Sequence, residues 1–442
     1  MSRETEASRE LGTRQTAVLV DRSTHITTAH MLIVVSVVSF AATYAELPRA
    51  TWTTLSALSL AAGVTAISFM GAAALLGGRF KTVESLFGGL DRLYLTHKWL
   101  GIAALVFASL HFALPADHDA WQTAAILELP RFPTRLLRQL SFLALMLIVL
   151  LALDRKIPYS VWRWWHKLSG PFFVVVILHW LTIRSPIALA SVAGFWLAIV
   201  AMLGVAGAAY KLLLYPFASN HGRYRVVVVS PGAAAVHLEL VPVTRPVEFK
   251  AGQFGFLRMK EEGLREPHPF TIAGADAGRV HFVIRALGDY TQRLVAQTTV
   301  GMQAEIYGPY GRFARPAVAD REIWIGGGVG ISPFIAWLAD EAAGGFDKVT
   351  LFYFFTPGRE FPSAEVMQRF ALERGAAFVA VPDGPLSSDF VQRFSEIAAN
   401  VDPHGIAVTV CGPKGLLERI RGLARDAGIP AGNLRHEHFE FR

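Results

Sequence analysis

Four histidines lie within long apolar stretches of the first half of the chain, arranged in two pairs. His97 and His111 belong to one apolar segment, and His166 and His179 belong to another. A histidine at membrane depth is costly and usually marks function. Because a helix rises about 1.5 Å per residue, each pair spans roughly 20 Å, or about two-thirds of a hydrocarbon core. The pattern predicts two bis-histidine haem sites stacked across a bilayer.

The apolar residues are unevenly distributed along the chain. Hydrophobic residues make up 52% of the sequence and charged residues only 17%, which departs far from the soluble average. Nearly all of the excess precedes residue 216, and the remainder has the charge density of a soluble α/β protein. Hydropathy predicts six membrane spans, at about residues 30–47, 52–76, 96–115, 136–153, 160–183 and 186–214.

Basic residues predict the orientation of these spans. Twelve lysines and arginines flank the spans on the side of the N-terminal tail, against five on the opposite side, and such residues collect in the cytoplasm. The sequence therefore predicts a multi-pass cell-membrane protein with both termini in the cytoplasm. In that orientation, depth pairs His97 with His166 at an inner haem and His111 with His179 at an outer haem.

The second histidine pair presents a geometric difficulty. A spacing of 14 returns to within about 40° of the starting face of a helix, whereas the spacing of 13 between His166 and His179 leaves roughly 140°. Pro171 lies between them and can kink or locally rewind the helix, which would realign the two side chains. The alternative is that these histidines are structural and hydrogen-bond neighbouring helices. We favour iron ligation because four histidines form two pairs matched in depth.

The second half of the chain begins with short strands separated by turns. They run from Gly222 to about residue 315 and predict a small antiparallel barrel. Within this region, GQF occupies residues 252–254, HPFTIAG occupies residues 268–274, and IRALGDYT occupies residues 284–291. Taken alone, the tetrapeptide HPFT is equally typical of a barrel strand with a proline at its edge.

A glycine-rich turn follows the barrel. A strand at 322–325 leads directly into glycines at positions 326, 327, 328 and 330, and Ser332-Pro333 can open a helix. Backbone N–H groups at such a turn form an anion site suited to a pyrophosphate, although the spacing is not GxGxxG. Further strands at 348–355 and 406–410 end in TPGRE and in Cys411-Gly412-Pro413.

HPFT, the glycine-rich turn and Cys411-Gly412-Pro413, in this chain order, resemble the ferredoxin–NADP reductase superfamily. The HPFT form is similar to that of NADPH oxidases and ferric reductases. For FAD, the resemblance implies contacts with His268, Pro269, Phe270, Thr271, Arg285, Gly288 and Thr291. For NAD(P)H, it implies contacts with Gly326, Gly327, Gly328, Gly330, Thr356, Arg359, Cys411, Gly412 and Pro413. Thr356 and Arg359 would meet an adenosine 2′-phosphate, which favours NADPH over NADH.

The C-terminal sequence HFEFR adds a further match to the superfamily. Its members often place a terminal aromatic on the flavin face where nicotinamide enters, so the resemblance implies this role for Phe439 or Phe441, with Phe439 favoured. Cys411 and Phe439 are accordingly the candidate catalytic residues. The alternative is a final strand with alternating aromatic residues.

From about residue 30 onward, the chain resembles a ferric-reductase-like membrane domain fused to FAD and NAD(P)H domains. The predicted fold is a six-helix transmembrane haem-binding bundle, then an antiparallel FAD-binding β-barrel, then an α/β NAD(P)H-binding domain. The predicted boundaries are 1–29 for a cytoplasmic tail, 30–215 for the bundle, 222–316 for the barrel and 320–442 for the last domain. The eukaryotic oxidases carry a further histidine at the position of Pro115, so the chemistry at the outer side stays open.

The resemblance implies transfer of electrons from cytoplasmic NAD(P)H through FAD and two b-type haems to an acceptor outside the cell. Dioxygen, giving superoxide, is the expected acceptor, and the alternatives are a ferric chelate, a periplasmic partner protein or a non-enzymatic haem sensor. A built-in reductase argues against an obligatory protein partner, and the dispersed lysines and arginines argue against nucleic acid. Cys411 is the only cysteine, which excludes an intramolecular disulfide and a cysteine-ligated iron–sulfur cluster.

Overall fold

The computed structural model describes residues 25–154, 156–276, 278–316 and 319–437. Contacts between residues divide this part of the chain into two compact units, which meet in sequence at Ser219 and Asn220. The apolar half of the chain therefore folds separately from the half that carries the strand and glycine motifs.

Helices make up the first unit. They are α1 (Thr28–Glu46), α2 (Leu55–Gly77), α3 (Lys81–Phe87), α4 (Leu90–Ala113), α5 (Arg131–Leu153), α6 (Tyr159–Lys167), α7 (Ser169–Thr182), α8 (Val192–Ala209) and α9 (Tyr215–Ala218), with a π-helical turn at Tyr210–Leu214 before α9. Among the residues that the structure describes, five segments are long and apolar enough to cross a membrane, namely α1, α2, α4, α5 and the stretch Val192–Ala218. The prediction of six spans is confirmed for these five.

The remaining predicted span, residues 160–183, is an interrupted helix. Helix α6 ends at Lys167, Leu168 follows with φ −70° and ψ −12°, and α7 begins at Ser169. Pro171 explains the position of the break, because it has no N–H to donate to the carbonyl four residues earlier and its ring crowds that carbonyl, which belongs to Lys167. Neither helix alone reaches the length of the other five spans.

Helix α2 is the central helix of this unit. Two-thirds of its apolar window (67%) is buried, against 22–39% for the other four long segments. Small residues allow neighbouring backbones to approach it closely, since a Cβ added to Gly204 would lie only 2.8 Å from the Cα of Gly71. Close packing around α2 fixes which of its backbone groups face α4.

A buried polar cluster ties α2 to its neighbours. The indole N–H of Trp196 on α8 reaches Ser68 Oγ on α2 at 2.9 Å and Ser39 Oγ on α1 at 3.1 Å, and Ser39 donates to Ser68 at 3.0 Å. Hydrogen bonds of this kind hold helices together in an apolar environment, where the hydrophobic effect cannot.

The second unit begins with a closed antiparallel barrel. Its strands are β1 (His221–Gly232), β2 (Ala235–Pro242), β3 (Phe254–Met259), β4 (His268–Asp276), β5 (Arg279–Arg285) and β6 (Gln303–Tyr310), in the order β1-β2-β5-β4-β3-β6, with α10 (Asp289–Gln297) between β5 and β6. Alternating residues of the strands fill the core of the barrel. Leu238, Leu240 and Phe282, for example, are fully buried. The predicted antiparallel barrel is confirmed.

A five-stranded parallel sheet completes the second unit, as expected for an α/β domain. Its strands are β7 (Arg321–Gly327), β8 (Val349–Phe354), β9 (Ala377–Val381), β10 (Ile406–Cys411) and β11 (Leu434–Glu437), in the order β11-β10-β7-β8-β9. The helices are α11 (Ser332–Ala339), α12 (Ala364–Glu373), α13 (Ser388–Ala399) and α14 (Lys414–Asp426). The predicted glycine and CGP motifs both fall at the carboxyl ends of neighbouring central strands, where parallel sheets bind ligands.

Candidate functional site

The four histidines of the helical unit lie on α4 and on the interrupted helix formed by α6 and α7. His97 and His111 are on α4, while His166 is near the end of α6 and His179 is on α7. The rings of His97 and His166 are nearly perpendicular, at 76°, and their centres are 5.9 Å apart. A metal ion bonded to one nitrogen of each ring at the usual distance of about 2.0–2.1 Å would set the ring centres about 6 Å apart. The inner pair therefore has the separation that a shared ion requires.

Helix α2 orients both histidines of α4 through its backbone. The Nδ1 atom of His97 lies 2.8 Å from the carbonyl oxygen of Ala73, and that of His111 lies 2.9 Å from the carbonyl oxygen of Ser59. A carbonyl oxygen only accepts hydrogen bonds, so Nδ1 carries the proton in each ring and Nε2 carries the lone pair. This is the arrangement by which proteins orient a metal-binding imidazole.

The two carbonyl contacts repeat along α2 and α4 in register. Ser59 and Ala73 are 14 residues apart (73 − 59), as are His97 and His111 (111 − 97). The two helices are antiparallel, so the carbonyl that comes earlier on α2 accepts a hydrogen bond from the histidine that comes later on α4. One helix–helix packing arrangement thereby places two imidazoles at two depths.

Glycines four residues after each carbonyl make room for the rings. A Cβ added to Gly63 would lie 3.0 Å from Nδ1 of His111, and a Cβ added to Gly77 would lie 3.7 Å from Cε1 of His97. The first distance is tighter than ordinary van der Waals contact and the second is not. Gly63 is therefore required for the observed position of His111, whereas position 77 has space for a methyl group.

The partner histidines have less support. Nδ1 of His166 and Nδ1 of His179 are both buried and have no hydrogen-bond partner among the residues that the structure describes. The ring of His166 stacks on Trp162, with centres 5.1 Å apart. A buried polar nitrogen without a partner is unfavourable in an apolar environment, so these two rings are held less firmly than those of α4.

The HPFT segment forms the start of β4 and pairs with the GQF segment. Phe270 lies opposite Gly255 and Thr271 opposite Phe254 in the antiparallel ladder. The ring of His268 stacks on Tyr290, with centres 3.7 Å apart and planes within 3°. This contact ties β4 to the first turn of α10, and Tyr290 was missed from the sequence because its partner is 22 positions away.

Two further residues predicted to contact FAD lie beside α10. Thr291 Oγ1 accepts hydrogen bonds from the N–H groups of Leu287 and Gly288, at 2.9 and 3.0 Å, and so caps this helix. Arg285, at the end of β5, reaches toward the glycine-rich turn, because a Cβ added to Gly328 would lie 3.0 Å from its Nη1. Within the second unit, the guanidinium of Arg285 thus lies beside Gly328 of the glycine-rich turn.

The glycine-rich turn packs closely against the CGP segment. A Cβ on Gly330 would overlap the carbonyl oxygen of Cys411, and one on Gly327 would lie 3.0 Å from Pro413 and 3.4 Å from the Cα of Gly412. Ser332 and Pro333 then begin α11. The structure therefore brings the four predicted glycines and Cys411-Gly412-Pro413 together at one edge of the sheet.

Thr356 and Arg359 lie in an exposed turn after β8. The Arg359 N–H donates to the carbonyl of Thr356 at 2.9 Å. Tyr353 anchors the following residues, since its hydroxyl accepts from the N–H of Phe361 at 3.3 Å and donates to the carbonyl of Pro362 at 3.2 Å. Burial raises the pKa of Tyr353 to about 12, so the phenol stays protonated at physiological pH. Phe439 and Phe441 lie outside the described residues.

Cys411 is fully buried at the end of β10. Burial raises the pKa of its thiol well above the ordinary value, and the nearby carboxylate of Glu437 raises it further. The thiolate is the reactive form of cysteine. The environment of Cys411 therefore favours a neutral thiol that packs beside a ligand over a nucleophile.

Comparison with known proteins adds the family context. Residues 62–177 match the family described as "Ferric reductase like transmembrane component". The "Probable cell surface ferric reductase kap2" of Aspergillus oryzae is 26% identical over 62% of this chain and 39% of its own length. The "Toluate 1,2-dioxygenase electron transfer component" of Pseudomonas putida is 26% identical over 43% of this chain and 59% of its own length.

One solved structure is similar to part of the chain. It is a ferredoxin NADP+ reductase from Neisseria gonorrhoeae with bound FAD and NADP, at 19% identity and a TM-score of 0.41, covering 50% of this chain and 99% of that one. The chain spans less than two-thirds of the length of either curated relative. Residues 62–177 thus match a ferric-reductase-like transmembrane component, and the chain is similar to a ferric reductase at 26% identity.

The buried state of Cys411 leads to a test of its reactivity. In the folded protein at pH 8, iodoacetamide is expected to leave Cys411 unmodified, because the raised pKa and the burial both suppress the thiolate. After unfolding in guanidinium chloride, the single cysteine should be alkylated completely. Mass spectrometry of the intact chain measures both states, and full alkylation of the folded protein would contradict the description.

Proposed function

We propose that the chain is a transmembrane oxidoreductase that moves electrons from cytoplasmic NAD(P)H to an acceptor on the opposite side of the membrane. The observation that carries the proposal is the pair of imidazoles on α4, each oriented by a carbonyl of α2, with the His97 ring centre 5.9 Å from that of His166. The proposal assigns both termini to the cytoplasm on the basis of the distribution of basic residues.

Two b-type haems are assigned to the histidines. His97 and His166 would hold the inner haem iron, and His111 and His179 the outer one. The separation of 5.9 Å between the ring centres of the first pair supports the inner assignment, and the orientation of the His111 ring by the Ser59 carbonyl supports the outer one. With two histidines on each iron, no coordination position stays open, so an acceptor would receive electrons at the edge of the outer haem.

FAD is assigned to the barrel. His268, Pro269, Phe270 and Thr271 would lie along the flavin, and Arg285, Gly288 and Thr291 near its phosphates or ribose. The stacking of His268 on Tyr290 fixes the start of β4, and the hydrogen bonds to Thr291 fix the loop that follows β5. Phe439 would cover the flavin face, and Cys411 would pack beside the nicotinamide as a neutral thiol.

NAD(P)H is assigned to the carboxyl edge of the parallel sheet. Glycines at positions 326, 327 and 330 let the turn pack closely on Ile331, Pro413 and Cys411, and backbone N–H groups of this turn, including that of Gly328, and of the start of α11 would hold a pyrophosphate. When bound, NAD(P)H would supply a hydride, FAD would accept it, and the haem irons would carry the electrons one at a time. The chain's own task is to align these groups and exclude water between them.

A chelated ferric ion is the acceptor that we favour, in place of the dioxygen expected from the sequence. The family description for residues 62–177 and the name of the Aspergillus oryzae relative both refer to ferric reductases. Pro115, where the oxidases carry a histidine, agrees with this choice. Dioxygen is the second candidate, because outer bis-histidine ligation suits transfer at the haem edge to either acceptor.

The acceptor can be identified with the detergent-purified chain and NADPH alone. Under argon, ferric citrate is expected to be reduced continuously, as measured by ferrozine, at a rate above that of superoxide formation in air. Consumption of NADPH only in air, with superoxide-dismutase-sensitive reduction of cytochrome c, would identify dioxygen instead. Turnover with neither acceptor would show that a partner protein is required and would contradict the proposal.

The role of Gly63 gives a test of the outer haem. Gly63→Ala is expected to displace the His111 ring and to lower haem content from two toward one per chain, because the added methyl group lies 3.0 Å from Nδ1. Gly77→Ala is the matched control, since its methyl group has 3.7 Å of space beside His97. The pyridine haemochromogen assay measures both variants, and equal loss or equal retention of haem would contradict the assignment.

Nucleotide preference tests the assignment of the exposed turn. Arg359→Ala is expected to lower kcat/KM for NADPH by roughly 10–100-fold, because one charge-assisted contact is lost, and to leave kcat/KM for NADH unchanged. Arg369→Ala, at another exposed arginine on α12, is the control. Steady-state rates with both nucleotides provide the measurement. Equal effects on NADPH and NADH would show that Arg359 does not contact the 2′-phosphate.

A further inference from the structure

The barrel carries a cluster of potential metal ligands away from the sites described above. His237 and Glu239 are on β2, and His281 is on β5. One ligand atom from each residue lies within 4.8 Å of the other two. We propose that these three residues form a binding site for a divalent transition-metal ion, with Zn²⁺ as the representative case.

Strand alternation places all three side chains on the outer face of the barrel. Leu238 and Leu240 on β2 and Phe282 on β5 point into the barrel core, where they are fully buried. Residues next to them in sequence point the opposite way. In the antiparallel register, Glu239 lies directly opposite His281, and His237 is the diagonal neighbour on the same face. The site is therefore made by two adjacent, hydrogen-bonded strands, which hold the ligands rigidly.

The distance between the two imidazoles matches a tetrahedral site. Nε2 of His237 and Nδ1 of His281 are 3.3 Å apart. With bonds of about 2.0–2.1 Å and tetrahedral angles, two nitrogens on one zinc ion are separated by about 3.3–3.4 Å. The two ring centres are 5.4 Å apart and the ring planes are 15° from parallel.

The donor set selects the class of ion. Two imidazole nitrogens and one carboxylate suit Zn²⁺, Cu²⁺ or Ni²⁺ better than Mg²⁺ or Ca²⁺, which prefer oxygen ligands. Three protein ligands leave a fourth tetrahedral position for water. Arg279 pairs with Oε2 of Glu239 at 2.9 Å and so orients the carboxylate, as outer partners of metal ligands commonly do.

The sequence pattern alone does not predict this site. His237 and His281 are 44 positions apart and become neighbours only through the strand order β1-β2-β5, in which β5 pairs with β2 rather than the sequence-adjacent β3. The site does not depend on the function proposed for the other residues, since none of its three residues is among those assigned to haem, flavin or nucleotide.

The test uses the full-length chain in detergent, purified without a histidine tag and stripped with EDTA. After dialysis against a small excess of ZnCl₂, the amount of zinc per chain is measured by elemental mass spectrometry. His237→Gln and His281→Gln are each expected to lose one zinc equivalent relative to the unsubstituted chain. His404→Gln is the matched control, because His404 is an exposed histidine bonded to Asp402 and not to a second imidazole.

The difference between variants is the readout because the chain contains 14 histidines. Glu239→Gln keeps the shape of the side chain and is expected to weaken zinc binding at least tenfold, so it tests the site if a histidine variant fails to fold. Zinc K-edge absorption of the unsubstituted chain should show two imidazole ligands for the ion that these variants lose. Equal zinc content in all variants and the control would overturn the proposal and leave a hydrogen-bonded histidine pair.

Discussion

The two hydrogen bonds from histidine Nδ1 to carbonyl oxygens of α2 are the interaction on which the membrane unit depends. They require α2 to be central, since only a helix packed closely along α4 offers carbonyls at two depths. They also require small residues at the contact, and Gly63 supplies one of them. Close packing around α2 is therefore a condition for the geometry of the site as well as for stability.

The same 14-residue period in α2 and α4 explains why two imidazoles can be oriented by one helix pair. Ser59 serves His111 and Ala73 serves His97, so a single register of α2 against α4 sets both rings. The break at Leu168 places His166 and His179 on two separate helices, α6 and α7. The continuous helix α4 carries one histidine of each pair. The other two histidines lie on an interrupted helix, and Pro171 fixes the position of its break.

The sequence predicted the parts of this arrangement that depend on local pattern. Hydropathy located five long helices, alternation predicted the barrel, and the spacing of 13 with Pro171 indicated a distortion between His166 and His179. The carbonyl partners Ala73 and Ser59 could not be predicted, because they depend on how α2 lies against α4. The stacking of His268 on Tyr290 and the cluster of His237 with His281 depend on strand pairing in the same way. Long-range register, which side-chain pattern does not encode, is the missing information.

The most direct test of the account is the haem content and redox spectrum of the unsubstituted protein. The chain, purified in detergent and loaded with FAD, would be treated with NADPH as the only reductant under argon, and haem would be quantified per chain. The account predicts two b-type haems per chain and reduction of both, visible in the reduced-minus-oxidised spectrum. A folded, flavin-loaded chain without haem, or with haem that NADPH does not reduce, would contradict it.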